Sequence, residues 1–366
     1  MQVKGGFQLE NERAGISHPE NPGVDVCNVT KPFESLKNGQ TFILDAPIIP
    51  TYRSVYSILT QDEGWVGKSD EAEWEAEDPY AKFYELCETN EDIIKACGLV
   101  DTKNLSTTEQ NSAMKKYRIF INDNGLDQNI QFFNNYRYTI FVPTNEAIEE
   151  AIANGLPTWE EIIEDYETVF EVNKNEKDSL ENEFDKSDYV MNEADSLRHE
   201  ELIKILGEDS LRLQAKITYL TNFVRYHFAD NSVFADKSEL EENEMVTSSY
   251  DSDLGLFCKI HVDRVKEGGE TVLRVRDDNS GIKYPTVGEK NVLARDISCS
   301  SSPVNTPMST SSKKITLDAS SAAVIHSING VLNHTELVDG RHDSTWATPA
   351  SAKKYLKRYG TIKNFN

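Results

Sequence analysis

The clearest hydrophobic pattern in the chain is YTIFVPTNEAIEEAI, from Tyr138 to Ile152. Thr139, Ile140, Phe141 and Val142 form a β-branched and aromatic run of strand length, and Pro143, which has no N–H to donate, ends it. Thr144 or Asn145 then caps a helix in which Ala147, Ile148, Ala151 and Ile152 recur at helical spacing. Glu146, Glu149 and Glu150 take the first turn and the wet side, where carboxylates suit the helix dipole. The pattern predicts a buried strand that turns at a proline into a half-buried helix.

Similar reading places the other elements. Residues 1–32 are punctuated by Gly, Asn and Pro, and Phe42 to Leu44 predicts a short strand closed by Asp45-Ala46-Pro47. Ser54 to Leu59 and Pro79 to Gly98 read as helices, the second with Phe83, Leu86, Cys87, Ile94 and Cys97 on an apolar face, and the acidic patch Asp70 to Asp78 separates them. Asn154-Gly155 stops the mid-chain helix, and Thr158-Trp-Glu-Glu161 is a capping box for another with Trp159, Ile162, Ile163, Tyr166 and Phe170 on one side. Residues 171–212 continue as a highly charged helical segment, read as a solvated face rather than an acidic binding surface. Leu213, Ile217, Leu220 and Val224 stripe a further helix that ends in Arg225-Tyr226-His227-Phe228.

From Leu256 the period changes to two, with Cys258, Ile260 and Val262 against Lys259, His261 and Asp263, and Gly268-Gly269 turns the chain into Thr271 to Val275. That is a β-hairpin. Ile282 to Val287 and Asn291 to Ile297 predict further strands, the Ser/Thr/Pro-rich stretch Ser298 to Lys314 a flexible loop, and Lys353 to Arg358 a basic segment unlike anything upstream.

Composition narrows the function classes. At 366 residues the chain has room for about two to three domains of roughly 100–200 residues and a substantial core. Hydrophobic content of 38% and mean hydropathy of −0.55 fit a globular protein with polar insertions, and no apolar run approaches the roughly 20 residues of a membrane helix. Lys and Arg number 38 against 62 Asp and Glu, and the net charge of −24 opposes phosphate backbones and anionic lipid, so nucleic acid is not an expected partner. The five cysteines (Cys27, Cys87, Cys97, Cys258, Cys299) form neither a zinc signature nor a disulfide framework. No G-x-S-x-G, phosphate-cradling loop or dinucleotide fingerprint occurs, so no cofactor or metal is expected. Asp277 to Gly281 lacks the later bidentate Glu of a calcium loop and reads as a tight turn, and Arg198-His-Glu-Glu201 lacks the second histidine of a zinc-protease helix. Asn28-Val-Thr30, Asn104-Leu-Ser106 and Asn333-His-Thr335 satisfy the glycosylation sequon.

NGQTFILDAPI, from Asn38, aligns without gaps on AAVIHSINGVL, from Ala322, setting Phe42 against His326, Asp45 against Asn329 and Ile48 against Leu332. The alignment suggests that the chain opens in the last third of one domain and then contains a second, which would explain why Met1-Gln-Val-Lys-Gly-Gly carries no signal-peptide core.

Four blocks resemble the fasciclin-type domain in the family's order. YTIFVPTNEAI is similar to its first signature block, VRYHF to its Tyr-His block, NVLARDI (with Asp296) to the strand ending in Ala-Asp-Ile, and AVIHSINGVL to its second signature block. Two departures stand out: Ala322-Ala323 replaces the usual Asn-Gly, and Asn329 the usual Asp. The resemblance implies an α+β fold, a compact β-sandwich or wedge with packed helices plus helical insertions. It divides the chain into 1-50, the C-terminal part of a preceding, incomplete domain; 51-338, one domain with insertions near 61-78, 101-130, 171-212 and 298-314; and a tail, 339-366. Thr139, Phe141, Pro143, Thr144, Asn145, Asp296, His326 and Asn329 would be its structural signature, and Tyr226 and His227 part of a partner-binding face.

The residues themselves give His227 another role, since it follows Leu220 and Val224 on the apolar stripe as a buried, hydrogen-bonded histidine would; His326 shares a strand face with Val324 and Ile328. The resemblance implies a non-enzymatic, extracytoplasmic adhesion or ligand-binding protein, secreted or at the cell surface, whose partner is a surface protein or glycan and whose membrane link is at most a lipid anchor outside this chain. Two alternatives stand beside it. One is a glycan-binding component of a bacterial cell-surface uptake system, with Trp65, Trp74 and Trp346 as exposed stacking platforms; the other is a carboxylate-dependent hydrolase.

Overall fold

The computed structural model describes residues 2–13, 17–32, 41–51, 53–60, 79–121, 130, 132–133, 137–185, 192–235, 240–303 and 313–364. β1 (Gln2–Val3), α1 (Gly6–Arg13), β2 (Cys27–Pro32) and β3 (Phe42–Leu44) open the chain, and the three strands form a small sheet in chain order. Gln8, fully buried, ties this part together: its Oε1 accepts from the Gly5 N–H at 2.7 Å and its amide donates to the Gly23 carbonyl at 3.0 Å. Of the two segments that align in sequence, the first holds strand at Phe42–Leu44 and the second is strand as far as Ile328, but Phe42 and Ile43 are 42% and 44% exposed whereas His326 is fully buried.

A helical layer follows, with α2 (Val55–Leu59), α3 (Ala81–Cys87), α4 (Glu91–Ala96) and α5 (Thr107–Met114). Ser54, Asn90 and Ser106 cap three of them through side-chain oxygens. The stretch expected as an insertion near 101-130 sends Met114, Tyr117, Ile119, Ile121 and Ile130 into the interior. β4 (Arg137–Pro143) then leads into α6 (Asn145–Ala153), and Thr144 is the cap between them, its Oγ1 accepting from the Ala147 N–H at 3.4 Å. α7 (Trp159–Asp165) is capped by Thr158, passes through a π-helical turn (Tyr166–Phe170) and continues as α8 (Glu171–Phe184).

α9 (Glu193–Tyr226), a helix of 34 residues, joins the second part of the charged segment expected over 171–212 to the striped helix expected after it, while the first part of that segment is α8. Its outer half is tied to α8 by Arg198, whose Nε and Nη2 donate to the two oxygens of Glu176, and its inner half buries Leu213, Ile217, Leu220 and Val224.

β5 (Phe228–Asp230), β6 (Leu240–Asp251), β7 (Leu256–Glu267), β8 (Glu270–Asp277), β9 (Tyr284–Pro285), β10 (Val292–Pro303) and β11 (Lys313–Ile328) complete, with β4, an eight-stranded curled half-barrel in the order β10-β11-β4-β5-β6-β7-β8-β9. Among the described residues, β11–β4 is the only parallel pair in this sheet. β4 is buried on both faces: Ile140 and Val142 enter the larger core with Phe83, Leu220 and Ile325, while Phe141 enters a second core with Tyr226, Ile260, Val275 and Leu332. Two-sided burial explains why its sequence is an unbroken apolar run rather than an alternation.

Two expectations fail here. The Ser-rich stretch taken as a loop is strand where it is described, β10 running to Pro303 opposite Lys313 of β11, because backbone pairing outweighs a weak side-chain preference; residues 304–312 lie outside the described residues. The strand expected over Ile282 to Val287 shortens to β9.

The segment expected as a tail, 339-366, contains α10 (Pro349–Tyr359), which buries Ala352, Tyr355 and Tyr359 against α9. Buried Arg225 holds the residues after it: Nη2 donates to the Lys363 carbonyl and to Asn364 Oδ1, Nε donates to the Ser248 carbonyl at 3.1 Å, and the guanidinium lies 4.0 Å from the Phe132 ring centre.

Replacing Thr144 by Ala removes the α6 cap while leaving the backbone bond from the Thr144 N–H to the Ile328 carbonyl (2.9 Å), so we expect a stability loss of about 0.5–2 kcal/mol. Urea unfolding of the wild type and T144A checks this, and an unchanged midpoint would remove the cap from the argument.

Candidate functional site

Three of the residues singled out by sequence, Thr139, Phe141 and His326, meet in the interior. Thr139 Oγ1 donates to the Asn231 carbonyl at 2.8 Å and accepts from the Val233 N–H at 3.0 Å. Phe141 stacks on His326 with ring centres 5.7 Å apart, and His326 bonds the Val233 carbonyl through Nε2 and the Asn291 N–H through Nδ1. Pro143 ends β4 opposite Ile328, and Asn145 Oδ1 accepts from the Lys82 N–H at 3.2 Å, fastening α3 to α6. Asp296 pairs through its backbone with Ser321, and Asn329 is exposed just after β11.

Tyr226 and His227 are 1% and 0% exposed, so neither side chain can touch a partner from this position. Tyr226 donates its hydroxyl to the Lys259 carbonyl at 2.5 Å; His227 Nδ1 bonds the Phe223 carbonyl and Nε2 accepts from the Leu332 N–H. They are fixed structural groups. Trp346, expected as an exposed platform, is buried edge-on to Tyr219 at 5.0 Å, and Trp65 and Trp74 lie outside the described residues. Asp277 to Gly281 is the expected turn, with Asp277 Oδ1 accepting from Asn279 and Ser280, and the sequon residue Asn333 is buried.

A different site opens on the surface. A cleft of about 580 Å³ is bounded by the end of α3, the start of α4, residues 118–120 and α7. Its floor is set by local structure: Asn90 caps α4 through Ile93, and Glu91 beside that cap is held by Arg118 (Nε–Oε1 2.7 Å) and by Lys95 (3.4 Å). One wall is aromatic. Tyr84 and Phe120, both partly exposed, pack with Tyr56 at ring-centre distances of 5.4 to 6.1 Å, and Trp159 also lines the cleft, its buried indole N–H without a hydrogen-bond partner among the described residues. The rim carries Glu88, Thr89 and Asp92, with Glu88 and Asp92 exposed.

Apolar ring faces beside carboxylate, amide, hydroxyl and guanidinium groups suit a ligand with one apolar face and many hydroxyls. Cys87, also in the lining, is no nucleophile: burial pushes its thiol well above the usual range, away from the thiolate. Among the described residues, no group of three or more His, Cys, Asp or Glu is placed to hold a metal.

The cleft escaped the sequence reading because three separated segments build it. Tyr84 carried the one usable signal, since it falls beside the Phe83, Leu86, Cys87 stripe instead of on it. No family model matches the chain, and no curated protein or solved structure matches it either.

The buried histidines have a measurable consequence. Burial pulls the pKa of His227 and of His342 down to about 4, and burial with the neighbouring His342 and His227 pulls His334 down to about 3. Unfolding returns each toward about 6.5, so between those values the unfolded chain binds more protons and stability rises with pH. We expect full stability above about pH 6.5 and progressive loss as pH falls toward about 4. Denaturant midpoints at pH 7.5 and 5 test this, and equal midpoints would contradict neutral buried imidazoles.

Proposed function

We propose that the protein is a non-enzymatic, extracytoplasmic ligand-binding protein, and that it binds a glycan in the cleft bounded by Tyr84, Phe120, Glu88 and Asp92. The observation that carries this reading is the pairing of an aromatic wall with exposed carboxylates in one open cavity. Sugar rings offer a C–H face to stack on aromatic carbons and hydroxyls that donate to carboxylates; pockets with an apolar wall and a few placed polar groups are the usual form of small-ligand sites. The four sequence blocks similar to fasciclin-type domains support a place outside the cell and a role in adhesion. The carboxylate-dependent hydrolase alternative would use the same cleft, whose lining includes Glu88, Glu91 and Asp92, but Glu91 is engaged by Arg118 and Lys95, and the aromatic wall favours binding.

Adhesion through Tyr226 and His227 gives way to recognition at the cleft, because a contact face needs accessible atoms. On this reading Glu91 is a fixed floor group, while Glu88 and Asp92, which have no ion-pair partner among the described residues, accept from the ligand.

Labelled protein applied to an array of glycans and extracellular-matrix proteins, at low and high salt, tests the proposal. We expect glycan binding that survives high salt, because a stacked and hydrogen-bonded ligand is screened little. Phe120→Ala and Asp92→Asn should each weaken it by about tenfold or more, the cost of a lost charged hydrogen bond or stacking face, with the melting temperature of D92N unchanged. Capture by matrix proteins alone, or full affinity in both variants, would sink the glycan assignment.

A further inference from the structure

The sequence is acidic until its last stretch. After Asp343 there is no Asp or Glu, and Lys353, Lys354, Lys357, Arg358 and Lys363 follow within a few turns. In the structure these cations have a definite setting. α10 buries Ala352, Tyr355 and Tyr359, so the steps from Lys353 to Lys357 and from Lys354 to Arg358, each one helical turn, run along its exposed side. Lys353, Lys354 and Lys357 have no ion-pair partner among the described residues, and Lys363 Nζ sits 4.1 Å from the ring centre of Tyr250.

Beside this basic face stands the turn between β6 and β7. The Ser252 N–H donates to the Arg358 carbonyl at 2.8 Å, and Arg358 Nε donates to Asp251 Oδ2 at 2.7 Å, which locks turn and helix together. Asp251 Oδ1 accepts from the N–H groups of Asp253 and Leu254, at 2.9 and 3.1 Å, and Gly255 closes the turn at φ +68°. The turn is therefore rigid. It presents two leucines, Leu254 at 67% and Leu256 at 60% exposed, beside one exposed carboxylate, Asp253, whose charge acts on Arg358.

We propose that this corner of the molecule is a docking surface for an anionic lipid membrane. Two leucines on a stiff turn enter the boundary between headgroups and acyl chains, while the lysines of α10 lie on lipid phosphates, the arrangement of an interfacial anchor. The net charge of −24 does not prevent this. Charges beyond about 10 Å are largely screened at physiological salt, so a surface held against α10 responds to the local cations rather than to the whole chain. An acidic polypeptide would satisfy the lysines, but it gives no role to exposed leucines held beside them; a lipid surface uses both. The inference does not depend on the cleft or its ligand.

Co-sedimentation of the full chain with vesicles tests it, one set of phosphatidylcholine alone and one containing an equal part of phosphatidylglycerol. We expect binding to the anionic set only, weakening as salt rises. Each lysine neutralised should lower the partition about fivefold, so the triple change Lys353→Ala, Lys354→Ala, Lys357→Ala should lower it on the order of 100-fold. The double change Leu254→Ser, Leu256→Ser should lower it by about tenfold or more while the melting temperature stays put, because both side chains are already in water. Equal sedimentation with both vesicle types, sedimentation with neither, or wild-type partition in the leucine variant overturns the proposal. Retention on a polyglutamate column without vesicle binding also overturns it, and transfers the corner to an acidic polypeptide.

Discussion

The parallel ladder between β4 and β11 is the constraint on which the rest of the fold depends. It sets residues 137–143 beside 322–328, although the chain between them builds α6 to α9 and the other six strands of the same sheet. A parallel pair requires a crossover, and here the crossover carries α6 to α9 and the strands from β5 to β10. The bond from the Thr144 N–H to the Ile328 carbonyl extends the ladder by one step into the cap of α6, which fixes the angle at which that helix leaves. Asn145 then carries the same junction to α3 through the Lys82 N–H. Strand, helix and helical layer are registered to one another at a single corner of the chain.

That corner was also the most legible part of the sequence, and the reason is physical. A strand ended by proline, a capping threonine and a helix of period 3.6 are local features, written in neighbouring residues. The burial of His227 was readable for the same reason, from its spacing to Leu220 and Val224. Elements whose stability comes from distant partners were not readable. β10 and β11 hold serine-rich stretches in place by pairing with each other, and α10 hides a stripe of Ala352, Tyr355 and Tyr359 under a dense set of lysines. The cleft belongs to this second class: Tyr84, Asp92, Phe120 and Trp159 meet only after the helical layer has packed.

The two cores differ in how they treat polar groups. The larger cluster contains Tyr219, Tyr355, Tyr359 and Trp346, and in the midst of these rings lie His334 and His342, satisfied in part by Tyr355 and Tyr219 hydroxyls at 2.9 and 2.7 Å. Burial favours the uncharged form of these imidazoles, and His334 Nδ1 has no partner among the described residues. A buried polar network of this kind specifies one arrangement of α9, α10 and the segment between β11 and α10, since any slip would strand more donors and acceptors. Arg225 adds a cation with no ion-pair partner among the described residues, its pKa pulled down to about 9 by burial.

α9 joins these regions to solvent as one uninterrupted rod of 34 residues, about 50 Å at 1.5 Å per residue. Its outer half is held by ion pairs to α8 and its inner half by two cores. Amide exchange along it should therefore form a gradient, because fraying of the turns before the buried Leu202 breaks mainly solvated contacts while opening near Leu220 disrupts the core. The exposed end can lose and regain its helix many times without the buried end registering the event. Gly207, where an added Cβ would meet nothing within 4 Å, lies between the buried Leu202 and Leu213.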